Sequence, residues 1–405
     1  MVFIDGIYYD FSGFDHPGGN DIIRLFTKNN KNDITTAYIS NHSKPFNHNK
    51  YKHLKIGGNL NIKPICYRDY LDLIDLVNRD IPIKKRKAPY YYYLKVFIIL
   101  SFTLVLTYKQ YYNWNLYRGI MLGWIHALIG LNIQHDANHG SISNYPMINI
   151  MLGYTQNLIG GSRELWIYKH MVKHHVETNN HGLDPDNDGR GILKLNTESP
   201  SNKLIKYQWL YGILGLPLFA YEILIVETVE CIINMYVFSF ITKIIYVYLH
   251  VINPCYQYPC LSRFLLTQIP ILFTGGYLAF FFILSHNYIG VMTNSYINLN
   301  TVGDIIKSDK WDDRYNNKNV ITFLQQQIES SSNVGGRLLC ELNGGLNYQI
   351  EHHLFPKIHH SHYPDISKIV RKYSRNMNYR YTHFDNIYYN LVSTIMYLWI
   401  MGKSN

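Results

Sequence analysis

Four apolar stretches between residues 90 and 290 constrain this chain more than any other feature. They fall at about 90–107, 116–133, 235–252 and 264–284, each close to the roughly 20 residues a helix needs to cross a hydrocarbon layer. Inside lipid, backbone amides are satisfied only within helices or closed barrels. The expectation is therefore an all-α integral membrane domain with about four transmembrane helices. A length of 405 residues and an apolar fraction of 47% would by themselves suit two or three soluble domains; the uneven placement of the apolar residues argues otherwise. Shorter apolar stretches are read differently. Residues 147–159 predict an interfacial or re-entrant segment, and 207–226, interrupted by Glu222, a surface-lying helix. Residues 387–399 predict an amphipathic or packing helix.

The flanks give an orientation. The first residues, Met1-Val2-Phe3-Ile4-Asp5-Gly6, lack a basic leader and a long apolar segment, so the amino terminus is expected to stay cytosolic. Lys84-Lys85-Arg86-Lys87 directly precedes the first apolar stretch and marks a cytosolic flank. Tyr108, Tyr111, Tyr112 and Trp114 form an aromatic belt at its far end. Four crossings then return the carboxyl terminus to the cytosol. The formal charge of +10 is not gathered into a basic stripe, so nucleic acid is not an expected partner, whereas anionic lipid is. The five cysteines contain no Cys-x-x-Cys and imply neither a disulfide framework nor a zinc site.

Histidines recur at the ends of the apolar stretches. His135-Asp136-Ala137-Asn138-His139 holds a pair four apart, and His170, His174 and His175 form His-x-x-x-His-His. Gln349-Ile350-Glu351-His352-His353 places Gln349, His352 and His353 on one helical face. With four crossings all three clusters lie on the cytosolic side. Neutral imidazoles suit iron, zinc, copper or nickel. Missing cysteine ligands disfavour structural zinc, and few carboxylates disfavour a hard oxygen site. Two irons held mainly by imidazole fit best.

Residues 1–62 predict a small α+β domain, with Val2-Phe3-Ile4 and Ile7-Tyr8-Tyr9 joined at Asp5-Gly6. Together with His16-Pro17-Gly18-Gly19 and the run from Asp33 to Ser43, this region resembles the cytochrome b5 haem domain. That resemblance implies His16 and His42 as the two axial ligands of a haem b, which then carries electrons and does not bind oxygen. The family usually has more residues ahead of the first strand, so this domain is expected to be less stable. Residues 63–89 read as a basic linker with a short amphipathic helix at Leu71, Ile74 and Val77, and residues 90–405 as the membrane-embedded diiron domain.

Nearly the whole chain is similar to front-end fatty acyl desaturases with a fused amino-terminal cytochrome b5 domain. The three histidine clusters and His16-Pro17-Gly18-Gly19 carry the resemblance, and Gln349 is its most specific element. It implies a diiron ligand set of His135, His139, His170, His174, His175, His286, His352 and His353, with Gln349 a ligand or a partner through water. It also implies oxygen as cosubstrate, NADH–cytochrome b5 reductase as partner, and fatty acyl-CoA or phospholipid as substrate in the endoplasmic reticulum membrane. The new double bond would be delta-4, delta-5, delta-6 or delta-8, with delta-5 slightly preferred. Two alternatives stand beside it, a sphingolipid long-chain-base desaturase of the same architecture and a membrane-anchored haem electron carrier. Asp184-Pro185-Asp186 reads as a solvated turn, His359, His360 and His362 as a surface turn, and His126 and His181 as satisfied or interfacial histidines.

The haem reading makes a direct prediction. His42→Ala should purify without the Soret band of a bis-imidazole haem while keeping its non-haem iron, measured by absorbance and by iron analysis of the same sample.

Overall fold

The computed structural model describes residues 1–16, 21–27, 34–42, 46–58, 68–179, 182–187, 189, 191–195, 199, 201–257, 260–285 and 322–403. At the amino terminus three short strands form an antiparallel sheet, Val2–Ile4 (β1), Ile7–Tyr9 (β2) and Lys55–Gly58 (β3), with β2 central. Asp5 (φ 49°) and Gly6 (φ 82°) make the tight turn between β1 and β2, the left-handed pair that an Asp-Gly hairpin requires. Val2, Ile4, Tyr9, Phe11 and Phe46 close the small core beneath the sheet.

This unit is packed onto the rest of the chain. Leu25, in helix Asp21–Thr27, is buried against Ile167 and Met171. Ile39, in helix Thr35–Asn41, belongs to the large cluster containing Ile350, Leu354, Phe355 and Ile358. The stretch expected as a linker carries a 13-residue helix, Arg68–Asp80. Tyr70, Leu73 and Val77 face that same cluster, and the Tyr70 hydroxyl donates to the Leu354 carbonyl.

Among the described residues three helices are long and apolar enough to cross a membrane: Ile83–Tyr112, Leu116–Asn138 and Val237–Gln257. The stretch expected as a surface-lying helix is instead a broken pair, Ile205–Leu214 and Leu216–Ile233, bent by 70°. The break falls at Gly215 just ahead of Pro217, where a proline ring cannot extend an α-helix from behind. The fourth expected span lies within helix Leu261–Ser285, which reaches about 37 Å at 1.5 Å per residue. It packs closely on Leu116–Leu128. A Cβ at Gly123 would sit 2.5 Å from the Pro270 carbonyl oxygen, so only glycine allows this approach. The Thr274 hydroxyl donates to the Gly123 carbonyl at 3.0 Å.

Charged side chains fasten the bent pair. Lys169 lies 2.7 Å from Glu230, 3.7 Å from Glu222 and 3.8 Å from Glu227, tying the second histidine helix to it. Lys243, buried in helix Val237–Val247, donates to the carbonyls of Gly160 (2.5 Å) and Ile223 (2.6 Å) and lies 3.3 Å from Glu227. Lys243→Met should strip two carbonyls of their donor and leave the buried Glu227 carboxylate with only the more distant Lys169 as cation. The expected cost is about 3–5 kcal/mol, seen as a lower unfolding temperature of the detergent-solubilised protein.

Candidate metal centre

Each histidine cluster sits on a locally altered or tightly held helix. The helix carrying the first cluster widens into a π turn at Ile129–Gln134, immediately before His135. The second cluster lies in another, Ile167–His174. Such turns insert one extra residue and rotate the rest of the helix relative to the part before it. The effect at the second cluster is specific. The backbone N–H of His175 donates to the His170 carbonyl five residues back, at 3.0 Å. His170 and His175 therefore share a face, their Nε2 atoms 3.2 Å apart. The third cluster rides on the short helix Gln349–Leu354, which comes after the left-handed turn at Gly344 and Gly345. A Cβ on Gly344 would lie 2.0 Å from the Leu131 carbonyl oxygen, so glycine lets this turn touch the first histidine helix.

The three clusters converge. The imidazoles of His135, His139, His170 and His352 offer nitrogens all within 4.8 Å of one another. His170 also belongs to a second group, with His174 and Asp186, under the same limit. His175 Nε2 is 3.0 Å from His352 Nε2, and His174 Nε2 is 3.0 Å from His353 Nε2. Nitrogens 3.0 Å apart match neighbouring ligands at right angles on one ion with bonds of about 2.1 Å. Gln349 Nε2 lies 2.8 Å from His353 Nε2, which brings the amide to the same place. Trp166 closes one side, its ring 4.4 Å from that of His170, 5.5 Å from His139 and 5.6 Å from His135.

The chemistry of the donors fits metal. Burial and then repulsion from neighbouring imidazoles hold His175 and His352 well below the ordinary histidine range; burial and His135 do the same for His139. Neutral imidazoles are the form that binds metal. Both ring nitrogens of His135 and of His139 are buried without a hydrogen-bond partner. Four such atoms would be costly in a site built for nothing else. Two overlapping groups sharing His170 have the layout of a two-metal site.

A further set of side chains orients these rings. His174 Nδ1 meets Asp184 at 3.0 Å and Asp186 at 3.1 Å, which fixes its tautomer and turns Nε2 inward. Burial would depress His174, but Asp184 and Asp186 outweigh it and raise it to about 9. Asp184 is 1% exposed, which corrects its reading as a solvated turn. His353 Nδ1 meets Gln327 Oε1 at 2.8 Å and the Thr178 hydroxyl at 3.1 Å. His352 Nδ1 lies 3.3 Å from the Tyr363 hydroxyl. Glu351 points away, accepting from Asn333 at 2.7 Å and Tyr381 at 2.9 Å. Burial pushes its carboxyl up to about 8.

His359 and His360, read from the sequence as a surface turn, are fully buried. His360 Nδ1 lies 2.5 Å from Asp136 Oδ2, with His359 Nε2 3.5 Å from the same oxygen. Asp136 thus ties the first cluster to the turn after the third. His126 is buried within its helix, its ring 5.3 Å from that of His250, and neither of its nitrogens has a hydrogen-bond partner. It is neither satisfied nor interfacial. His286 and His181 lie outside the described residues.

At the amino terminus the rings of His16 and His42 face each other with centroids 6.2 Å apart, a gap that admits one metal ion bonded to both. His42 Nδ1 meets the Tyr38 carbonyl at 2.9 Å, which leaves Nε2 for the expected haem. Burial and the nearby Lys357 hold His42 down to about 3 and also lower His16. Both shifts favour the neutral ring, the form that can bind a metal.

The chain is similar to known proteins along most of their length. Residues 109–385 match the family model for fatty acid desaturases. An acyl-lipid (7-3)-desaturase of Rebecca salina is 33% identical over 100% of this chain and 91% of its own length. One of the same name from Diacronema lutheri is 32% identical over 99% and 90%. A probable Delta(5) fatty acid desaturase C of Dictyostelium discoideum is 26% identical over 100% and 92%. No solved structure matches the chain.

The orienting carboxylates supply a test of the centre. Asp184→Asn keeps the shape but loses the charge that holds His174 Nδ1–H. Iron affinity should fall about 10–100-fold, measured by titrating the apoprotein with ferrous iron.

Proposed function

From the chain's membership of the fatty acid desaturase family, a class of oxygen-dependent enzymes, we propose that it inserts a double bond on the carboxyl side of one already present in a polyunsaturated acyl chain. The observation that carries this reading is the convergence of His135, His139, His170 and His352, with His175 against His352 and His174 against His353. His135, His139, His170, His174, His175, His352 and His353 hold two irons, with His286 and Gln349 completing the set. The overall reaction takes one saturated –CH₂–CH₂– unit, one oxygen molecule, two electrons and two protons to –CH=CH– and two waters.

Two irons, when bound, supply the oxidant needed to break unactivated C–H bonds. The protein supplies position. Asp184, Asp186, Gln327, Thr178 and Tyr363 lock the ring orientations, so the ligands need not reorganise when iron binds. Trp166, packed on the rings of His170, His139 and His135, shields one side of the centre from water.

Electrons are proposed to come from NADH through a separate reductase to a haem b held by His16 and His42. The small unit that bears this pair packs on the helices of the second and third clusters through Leu25 and Ile39. The proposed setting is the endoplasmic reticulum membrane, with both termini and the metal centre cytosolic. Membership of an enzyme family removes the reading as a mere haem electron carrier. The relatives are named for acyl lipids and fatty acids, which puts long-chain bases second and acyl-CoA behind acyl lipid.

Position is the finer proposal. Two relatives that match along the whole chain carry the (7-3) name, which we take as a bond added three carbons to the carboxyl side of one at carbon 7. That favours delta-4 over the delta-5 expected from the sequence; the Dictyostelium relative supports delta-5 as the second reading. Yeast expressing the chain should be fed separate polyunsaturated and saturated acids, and the new bond located by mass spectrometry. A delta-4 product from a substrate unsaturated at carbon 7 is expected. A new bond on the methyl side, or efficient conversion of stearate, would defeat the reading.

A further inference from the structure

Helix Arg337–Asn343 forms one wall of an outward-facing cleft. The cleft has a volume of about 520 Å³ and is walled by Leu338, Leu339, Leu342, Ile387 and Tyr388, with Asp385 at its rim. That volume is in the range of small-molecule sites. Leu338 is 77% exposed and Tyr388 69%, so apolar surface is presented outward rather than buried.

The level of the cleft is fixed by its attachments. The Tyr91 hydroxyl donates to Glu341 at 2.7 Å, and Lys95 donates to the Glu341 carbonyl. The Asn132 side chain donates to the Leu342 carbonyl at 3.1 Å. Tyr91 and Lys95 open the first membrane-crossing helix, just after the basic run 84–87. The cleft therefore sits where that helix enters the bilayer, beside the exposed Tyr91, Leu94 and Ile98 of its lipid-facing side. Exposed Tyr388 and Tyr389 at its other wall are residues suited to the lipid–water boundary. Continuity with this surface selects a lipid as the occupant over a protein or a second copy of the chain.

The inner wall leads on. Leu339 packs in one apolar cluster with Leu131, Leu346, Tyr277, Leu278 and Phe280. Leu131 is about one helical turn ahead of His135, and Leu346 stands just ahead of Gln349.

We propose that this cleft admits the acyl chain of a bilayer phospholipid sideways from the leaflet, past Leu339, into the apolar cluster beside His135 and Gln349. This rests on the reading of the chain as an acyl-lipid desaturase. The headgroup stays at the leaflet surface and the methyl end runs on along Tyr277 and Leu278. The carbons held beside the histidines are then those counted from the carboxyl end, which is the register that front-end insertion needs.

The test uses the holoenzyme in nanodiscs of phosphatidylcholine bearing a diazirine near the carboxyl end of one acyl chain. After photolysis, adducts are mapped by peptide mass spectrometry. Adducts are expected on residues 338–342 and on Ile387 and Tyr388. Leu339→Trp, which narrows the inner wall, should deplete them several-fold, leave labelling of Leu94 and Ile98 unchanged and lower kcat/KM by about tenfold or more at unchanged iron content. Leu338→Glu, at an exposed position that folding does not depend on, should lower turnover in the same direction. Labelling of helix 337–343 that is absent, or equal in parent and Leu339→Trp, would overturn the proposal as mere bilayer contact. So would variants that desaturate as fast as the parent. Cleft adducts from a protein that makes no desaturated product would instead sink the proposed activity and leave the cleft standing.

Discussion

The chain is arranged around a crowd of imidazoles whose nitrogens lie 3.0–3.2 Å apart. Neutral rings at that distance share one proton per pair, and charged ones repel. A cation between them lets all the inward nitrogens offer a lone pair at once. Carboxylates that would have neutralised the crowd stand behind it instead, Asp184 and Asp186 against His174 and Asp136 against His360. The surrounding helices are held by buried ion pairs and glycine contacts rather than by loops, consistent with a site whose ligands come from segments some 200 residues apart in sequence.

Much of this was readable in advance, because the physics that writes it into sequence is coarse. A membrane helix must be long and apolar, and a ligand must be a particular residue type. Hence the spans near 90, 116 and 237 and all three clusters stand out by composition and spacing. The Asp5-Gly6 hairpin was equally plain, since few residues tolerate its backbone.

What was hidden depends on geometry that no spacing rule carries. Helical periodicity pairs His170 with His174; the π turn brings His175 to His170 as well. His359 and His360 come after a proline and look like a surface turn, yet the fold brings Asp136 from 224 residues away to receive His360. Asp184 resembles any acidic turn until His174 is seen above it. Gln327, which orients His353, sits in a stretch without any motif and had no signal at all.

The π turns at Ile129–Gln134 and Ile167–His174 carry a consequence for how such a chain changes over time. Each is one residue more than an α-helix needs. Winding all of Ile129–Gln134 as an ordinary α-helix would swing everything after it by about 100°. His135 would then turn from its partners with its chemistry intact. Helix winding at this point is thus as much part of the centre as the identity of any ligand. Loss of one residue there is absorbed by a return to ordinary winding, whereas a further insertion is not.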